Sequence, residues 1–394
     1  MRMRKATSLV VALLLSGIAV ATAHAENVRD RQWHLDAMKA EGIWKTGTGE
    51  GVIVAVIDTG VARIPELEGQ VLPGRDFAAG RDGYEGNERD DYSNHGTGIA
   101  AMIAGSGVHP SGGGAYGLAP GAMILPIRVP QEMSASTPSW VSAIRYAADS
   151  EAKVINISLG KAGAVEDDRA RAEAVKYAIL KGKLIFAAVG NDGGTVNWVE
   201  YPAATPGVVG VAAVSKDGAA TKESQHGPQV DMAAPGMDIV TACAGGTGLC
   251  TSHGTSDATA LASASAALLW SVHPTWTNNQ ILRVLLNTAG KPVDGAERND
   301  YVGYGVVRPR IALPTPGDPG PPDVYPLPDL AAAAAGDAPV PSTGGKTTPP
   351  RAPQAAPAVD KGDGGTPPWL ALGLGACVLI GGAVTAVVVR RARR

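Results

Sequence analysis

The chain has 394 residues, 34 of them basic and 37 acidic, for a net charge of -3. So balanced a chain lacks the basic footprint that phosphate neutralisation demands, which excludes nucleic acid as a partner, and 45% hydrophobic residues exclude disorder throughout. Gly (51) and Pro (29) are abundant and Phe is scarce (2), so a core of small side chains beside a low-complexity portion is expected.

Taken in chain order, residues 1–25 read as a secretory signal peptide. Arg2, Arg4 and Lys5 precede an apolar run over 9–20, and Ala23-His24-Ala25 fits the small-x-small rule for cleavage. From 26 to 313 lies the exported domain. Its runs at 52–57, 123–129, 154–157, 184–189 and 208–214 are apolar on both faces, as strands inside a parallel sheet are. Helical patterns lie between them. Over 138–150 Trp140, Ile144, Ala147 and Ala148 share a stripe; over 166–181 Ala174, Val175, Ala178 and Ile179 do, with Gly182 as the stop. This alternation predicts an α/β fold in three layers with a mostly parallel central sheet, its sites at the carboxyl ends of the strands.

Residues 314–367 are rich in Pro, Ala, Gly and Thr without apolar periodicity, which predicts an extended, disordered linker or stalk. Residues 368–389 carry no charge and are followed by Arg390-Arg391-Ala392-Arg393-Arg394. They predict one transmembrane helix with Trp369 at the outer interface and a basic tail, 390–394, in the cytoplasm. Cys243 and Cys250 lie in a Gly-rich loop of the exported domain, where two free thiols are unfavourable, so a disulfide between them is expected. Cys377 falls in the anchor.

Three motifs stand at predicted strand or helix ends. Asp58 closes the first strand in Val56-Ile57-Asp58-Thr59-Gly60, and by itself is a helix cap as readily as a site carboxylate. His95, in Asn94-His95-Gly96-Thr97-Gly98, is alone no more than a loop histidine. Ser256, in Gly254-Thr255-Ser256-Asp257-Ala258, opens a helix of small residues, where a serine is ordinarily a cap. Together they supply what acyl transfer needs: a hydroxyl nucleophile, a base, and a carboxylate to orient the base. A fourth segment, Ala187-Ala188-Val189-Gly190-Asn191-Asp192-Gly193, ends a strand in an Asn whose amide can donate to an oxyanion.

These blocks resemble the signatures of the subtilisin-like serine peptidases, as do Gly117-Leu118-Ala119-Pro120-Gly121-Ala122, Ser158-Leu159-Gly160 and Gly303-Tyr304-Gly305-Val306. The match covers roughly residues 45–313. The resemblance implies catalytic roles for Asp58, His95 and Ser256, an oxyanion role for Asn191, and a substrate-pairing strand at Ser158, Leu159 and Gly160. Gln32-Trp33-His34-Leu35, the proline-rich stalk and the anchor resemble the mycosins of type VII secretion, as does the lack of room for a folding prodomain. That subgroup implies secretion components as partners and a catalytic domain outside the cytoplasm. Asp257 and Ala260 depart from the family, which often has Met or Phe after the nucleophile and Pro four positions beyond it. Gly98 also stands where many members have a second His.

Other signals carry less. Residues 112–117 match a dinucleotide fingerprint but precede a strand, where the fingerprint needs a helix. Asn156 begins a glycosylation sequon inside a predicted buried strand. The acidic residues Asp82, Glu85, Glu88, Asp90 and Asp91 lack a recognised calcium-loop spacing and are expected to form a solvated loop, with structural calcium as the alternative. His253 is expected to be a loop residue, and no histidine spacing suggests zinc. The expectation is therefore a cofactor-free, membrane-anchored serine endopeptidase acting on protein or peptide substrates. The rivals are a structural component of a secretion complex and an esterase; the latter lacks the Gly-x-Ser-x-Gly elbow.

Overall fold

Strand residues alternate between two cores, which is why the central sheet carries helices on both faces. Along β1 (Ile53–Asp58), Val54 and Val56 point into one core, while Ala55 and Ile57 point into the other. The computed structural model describes residues 27–80, 85–130, 138–163 and 169–336. All lie in a unit running to Ala338; a second unit, Pro339–Arg394, falls outside the described residues.

The strands after β1 are β2 (Arg75–Asp76), β3 (Met123–Arg128), β4 (Val154–Ile157), β5 (Lys161–Ala162), β6 (Leu184–Ala188), β7 (Glu200–Tyr201), β8 (Val209–Val214), β9 (Met232–Pro235), β10 (Ile239–Ala242) and β11 (Leu249–Ser252). Seven form one sheet in the order β2-β3-β1-β4-β6-β8-β9, with every pairing parallel. Two antiparallel pairs, β5 with β7 and β10 with β11, stand apart from it. All five expected strands are present within a residue of their predicted limits. Strands β2 and β9 are not among those expected, because two or four residues carry too little pattern to register.

Helices α1 (Val28–Arg31), α2 (Trp33–Met38) and α3 (Ala40–Ile43) open the described chain. They are followed by α4 (His95–Ala104), α5 (Pro138–Asp149), α6 (Arg169–Leu180), α7 (Thr255–Val272), α8 (Asn278–Thr288), α9 (Pro309–Ala312) and α10 (Asp329–Gly336). Residues of α4, α7 and α8 complete one core; α5 and α6 complete the other. Helix α6 stops where Gly182 takes φ 75°, as expected of a C-cap glycine.

Helix α7 is buried from Thr255 to Trp270. Its Ala, Ser and Thr side chains are short enough to let it lie against the sheet, and the buried hydroxyls find partners: Thr259 donates to the Thr255 carbonyl (2.7 Å) and Ser265 to the Leu261 carbonyl (2.7 Å). The helix runs through Ala260 without a break.

One boundary shifts. The linker expected from 314 begins with a segment held against the domain. The Arg283 guanidinium donates to the carbonyls of Pro319 (2.7 Å) and Pro321 (3.0 Å), and Asp329 accepts from the Gly207 amide (2.6 Å). Leu327 is buried in the core. Proline-rich chain without apolar periodicity can still be fixed when a neighbouring helix offers donors to its carbonyls, and α8 does so. The predicted signal peptide, the rest of the linker, the anchor and the basic tail lie outside the described residues. Among those described, no helix is long and apolar enough to cross a membrane.

Candidate active site

The site gathers where β1 ends and where α4 and α7 begin. Asp58 is the last residue of β1 and fully buried. Its Oδ1 accepts from the Thr59 amide (2.8 Å) and lies 2.7 Å from His95 Nδ1. Its Oδ2 is buried without a hydrogen-bond partner.

His95 is the first residue of α4, and the start of this helix is pinned in an unusual way. The preceding Asn94 adopts φ 64° and gives no side-chain cap. The unpaired amides of the first turn are met by other groups: Gly96 N–H by Thr59 Oγ1 (3.0 Å) and Thr97 N–H by Asp91 Oδ2 (2.8 Å). Asp91 also accepts from the hydroxyls of Thr59 (2.7 Å) and Thr97 (2.6 Å). Asp91 was expected in a solvated loop or a calcium site. Instead its carboxylate ties the end of β1 to the start of α4, and so sets the Asp58–His95 spacing. Position 96 must be glycine for the same approach, because a Cβ there would stand 2.2 Å from the Gly60 carbonyl oxygen. Asp82 lies outside the described residues. Among the described residues, no group of three or more His, Cys, Asp or Glu is arranged to hold a metal ion.

Ser256 is the second residue of α7. Its Oγ donates to the Ser158 carbonyl (2.8 Å), and Ser158 Oγ returns a bond to the Ser256 carbonyl (3.0 Å). A hydroxyl has one proton to give, so Ser256 must turn from Ser158 to pass it to an imidazole. The Ser158 position is itself anchored: fully buried Asn156 donates to Ser158 Oγ (3.0 Å) and accepts from Ser263 of α7 (2.9 Å). A buried polar network thus ties the segment after β4 to the helix carrying Ser256. It also leaves the Asn156 sequon inaccessible. Leu159 is buried and Gly160 exposed.

Asn191 follows β6, exposed at the mouth of the site. Its Oδ1 accepts from the Thr255 amide (2.9 Å) and hydroxyl (3.0 Å). With its carbonyl end spent on the start of α7, the side chain turns its NH2 end outward as a donor. The Ser256 amide, in the first turn of α7, has no intrahelical partner by construction. Asn191, bonded to Thr255, and the Ser256 amide thus both lie at the start of α7.

Residues 49–305 match the model of the subtilase family. The chain belongs to that family. Subtilases with curated descriptions include subtilisin E of Bacillus subtilis, 34% identical over 275 residues that cover 68% of each chain. Among solved structures, MycP1 from Mycobacterium smegmatis superposes with a TM-score of 0.65 at 30% identity, covering 76% of this chain and 89% of that one. A chain of the periplasmic assembly of the ESX-5 inner membrane complex gives a TM-score of 0.62 at 27% identity, covering 84% of this chain and 90% of that one. The chain is thus a subtilisin-like serine protease, a hydrolase related to the mycosins of type VII secretion.

The departure at Asp257 changes the electrostatics of this subtilase. Asp257 is buried; Oδ1 accepts from Ser252 of β11 (2.9 Å), and Oδ2 has no partner. Burial pushes its carboxyl up to about 7, against the Ser252 hydrogen bond and the charges of His95 and His253. Burial acts to lower the pKa of His95, but the charge and hydrogen bond of Asp58, with the charges of Asp257 and Asp91, outweigh it and raise the pKa to about 9. The imidazole has three carboxylates around it. His253 is an exposed residue as expected, paired with Glu223 (2.9 Å). The sulfurs of Cys243 and Cys250 are placed together, with the Cα atoms 6.0 Å apart across the β10–β11 hairpin.

Proposed function

We propose that this subtilase is a membrane-anchored endopeptidase that works outside the cytoplasm through Ser256, His95 and Asp58. The observation that carries the reading is the 2.7 Å contact between the buried Asp58 and Nδ1 of His95, which opens α4, a helix that packs against the one carrying Ser256. Asp58 holds the imidazole with its proton on Nδ1, leaving Nε2 free to accept. Ser256 turns from Ser158, loses its proton to His95 and attacks the peptide carbonyl. Asn191 Nδ2 and the Ser256 amide hold the oxyanion. His95 then protonates the departing amine, and a water repeats the sequence on the acyl-enzyme. Extended substrate pairs along Ser158, Leu159 and Gly160. A fluorophosphonate should form an adduct that peptide mapping places on Ser256; an adduct elsewhere, or none on a folded domain, overturns the assignment.

A raised His95 pKa keeps the base protonated at neutral pH, so kcat/KM should climb as the pH rises toward about 9. Asp257→Asn removes one of the charges that favour the imidazolium. Its acid limb should therefore move to lower pH, by about one unit. A pH profile in which the limb stays put, or moves to higher pH, contradicts this role for Asp257.

The place of action rests on sequence. We infer that 1–25 direct export, that the linker beyond the held segment is a stalk, and that 368–389 anchor the chain with 390–394 in the cytoplasm. Export also favours the pairing of Cys243 with Cys250. The full chain should stay with membranes through alkaline carbonate washing, and deletion of 368–394 should release it. Extraction of the full chain by carbonate alone would falsify the anchor. The likeness to a chain of the ESX-5 inner membrane complex favours a second reading, in which the subtilase is also a structural part of a secretion assembly.

A further inference from the structure

We propose that Glu200 makes this enzyme select a cationic side chain, Arg or Lys, at the substrate residue immediately before the scissile bond. The inference rests on the proposed roles of Ser256, Asn191 and the 158–160 strand. It extends them to a carboxylate placed between the oxyanion donor and that strand.

The placement follows from β7. Glu200 pairs with Ala162 across the β5–β7 ladder, directly beyond Gly160. Its side chain occupies space that two glycines leave open. A Cβ on Gly160 would stand 2.4 Å from Glu200 Oε2, and a Cβ on Gly190 would stand 2.7 Å from Glu200 Cδ. Gly160 closes the segment proposed to pair with substrate, and Gly190 immediately precedes Asn191. The carboxylate therefore borders both the strand along which the substrate lies and the donor that holds its scissile carbonyl. The side chain next to that carbonyl, on the acyl side, is the one that can reach it.

The carboxylate is fixed yet electrically unanswered. Fully buried Gln225 donates to Glu200 Oε1 (2.9 Å), while Gln225 Oε1 has no partner. A buried amide spends its donor on aiming the carboxylate and leaves its own acceptor unmet, a cost that a merely solvated glutamate does not require. No lysine or arginine forms an ion pair with Glu200 among the described residues. Burial raises its pKa, against the Gln225 hydrogen bond, and the charge of Asp192 raises it further. A half-buried anion with a like charge nearby and no cation of its own is relieved by a cation from the ligand. A long guanidinium or ammonium stem can pass the two glycines and place its head there.

The test uses the full chain in detergent and fluorogenic peptides that differ only in the residue before the scissile bond: Arg, Lys, Gln, Leu or Ala. The expected result is kcat/KM for Arg and Lys about 10- to 100-fold above that for Gln and Leu. Glu200→Gln should collapse that ratio by loss at Arg and Lys while Leu is cleaved as before. A wild-type enzyme without cationic preference overturns the proposal, and so does a Glu200→Gln variant that loses all substrates equally. The wild-type comparison stands even where the variant does not fold. Cleavage and Ser256 labelling with another preference defeat the Glu200 inference alone. Absence of both defeats the catalytic reading beneath it.

Discussion

Ser256→Ala is expected to lower turnover on peptides by about 10⁶-fold, the scale seen when a Ser–His–Asp site loses its nucleophile. The fold should persist. The side chain gives only one hydrogen bond, to the Ser158 carbonyl, and the return bond from Ser158 reaches the Ser256 backbone, which alanine keeps. Neighbouring Ala258 and Ala260 show that a methyl group suits this buried helix. Stopped assays with an active-site phosphonate should find no adduct, and thermal melting should move by only a few degrees. Turnover within tenfold of the wild type would remove Ser256 from the chemistry. The same variant separates the two readings of function. A chain that serves only as a structural part should still support assembly and secretion when Ser256 is alanine, whereas a protease required for its cleavage should not.

Asp58→Asn should cost about 10⁴-fold in kcat with the geometry nearly intact. The Thr59 amide donates to the same Asp58 oxygen that faces His95, so an asparagine that keeps its carbonyl oxygen there retains both bonds but loses the charge that stabilises the imidazolium. If its amide faces His95 instead, it donates to Nδ1 and drives the proton onto Nε2. An imidazole protonated at Nε2 cannot accept from Ser256. Phosphonate labelling should slow in parallel with peptide turnover, since both need the activated hydroxyl. A loss confined to KM, or a rate within tenfold of the wild type, would place Asp58 outside the mechanism.

Much of this is legible in the sequence. Asp58, His95, Asn191 and Ser256 sit in short glycine-bearing blocks, and each block survives as a strand end or helix start because those local patterns are set by near neighbours. The sheet was readable for the same reason, since strands apolar on both faces announce burial on both. What was missed depends on contacts far apart in sequence. Asp91 reads as one acid among several until Thr59 and Thr97 are seen to donate to it. Glu200 lies in a stretch without periodicity, and nothing local says that Gly160 and Gly190 make room for it. Asp257 was visible as an oddity, but its effect on His95 depends on how α4 and α7 meet. The held segment after 313 was misplaced because its fixing groups belong to α8, whose Thr277 and Gln280 form a capping box and also bind the Pro322 and Gly320 carbonyls.

That segment bears on how the domain carries mechanical load. Any pull arriving from the C-terminal side meets, in order, the Asp329–Gly207 bond, the buried Leu327 and the Arg283 fork, before it reaches α9 and the sheet. These attachments follow one another along a strap, none of them on β1 or α4. Under the proposed anchoring through 368–389, this strap stands between the anchor and the Asp58–His95 pair, so load from that side reaches the strap first.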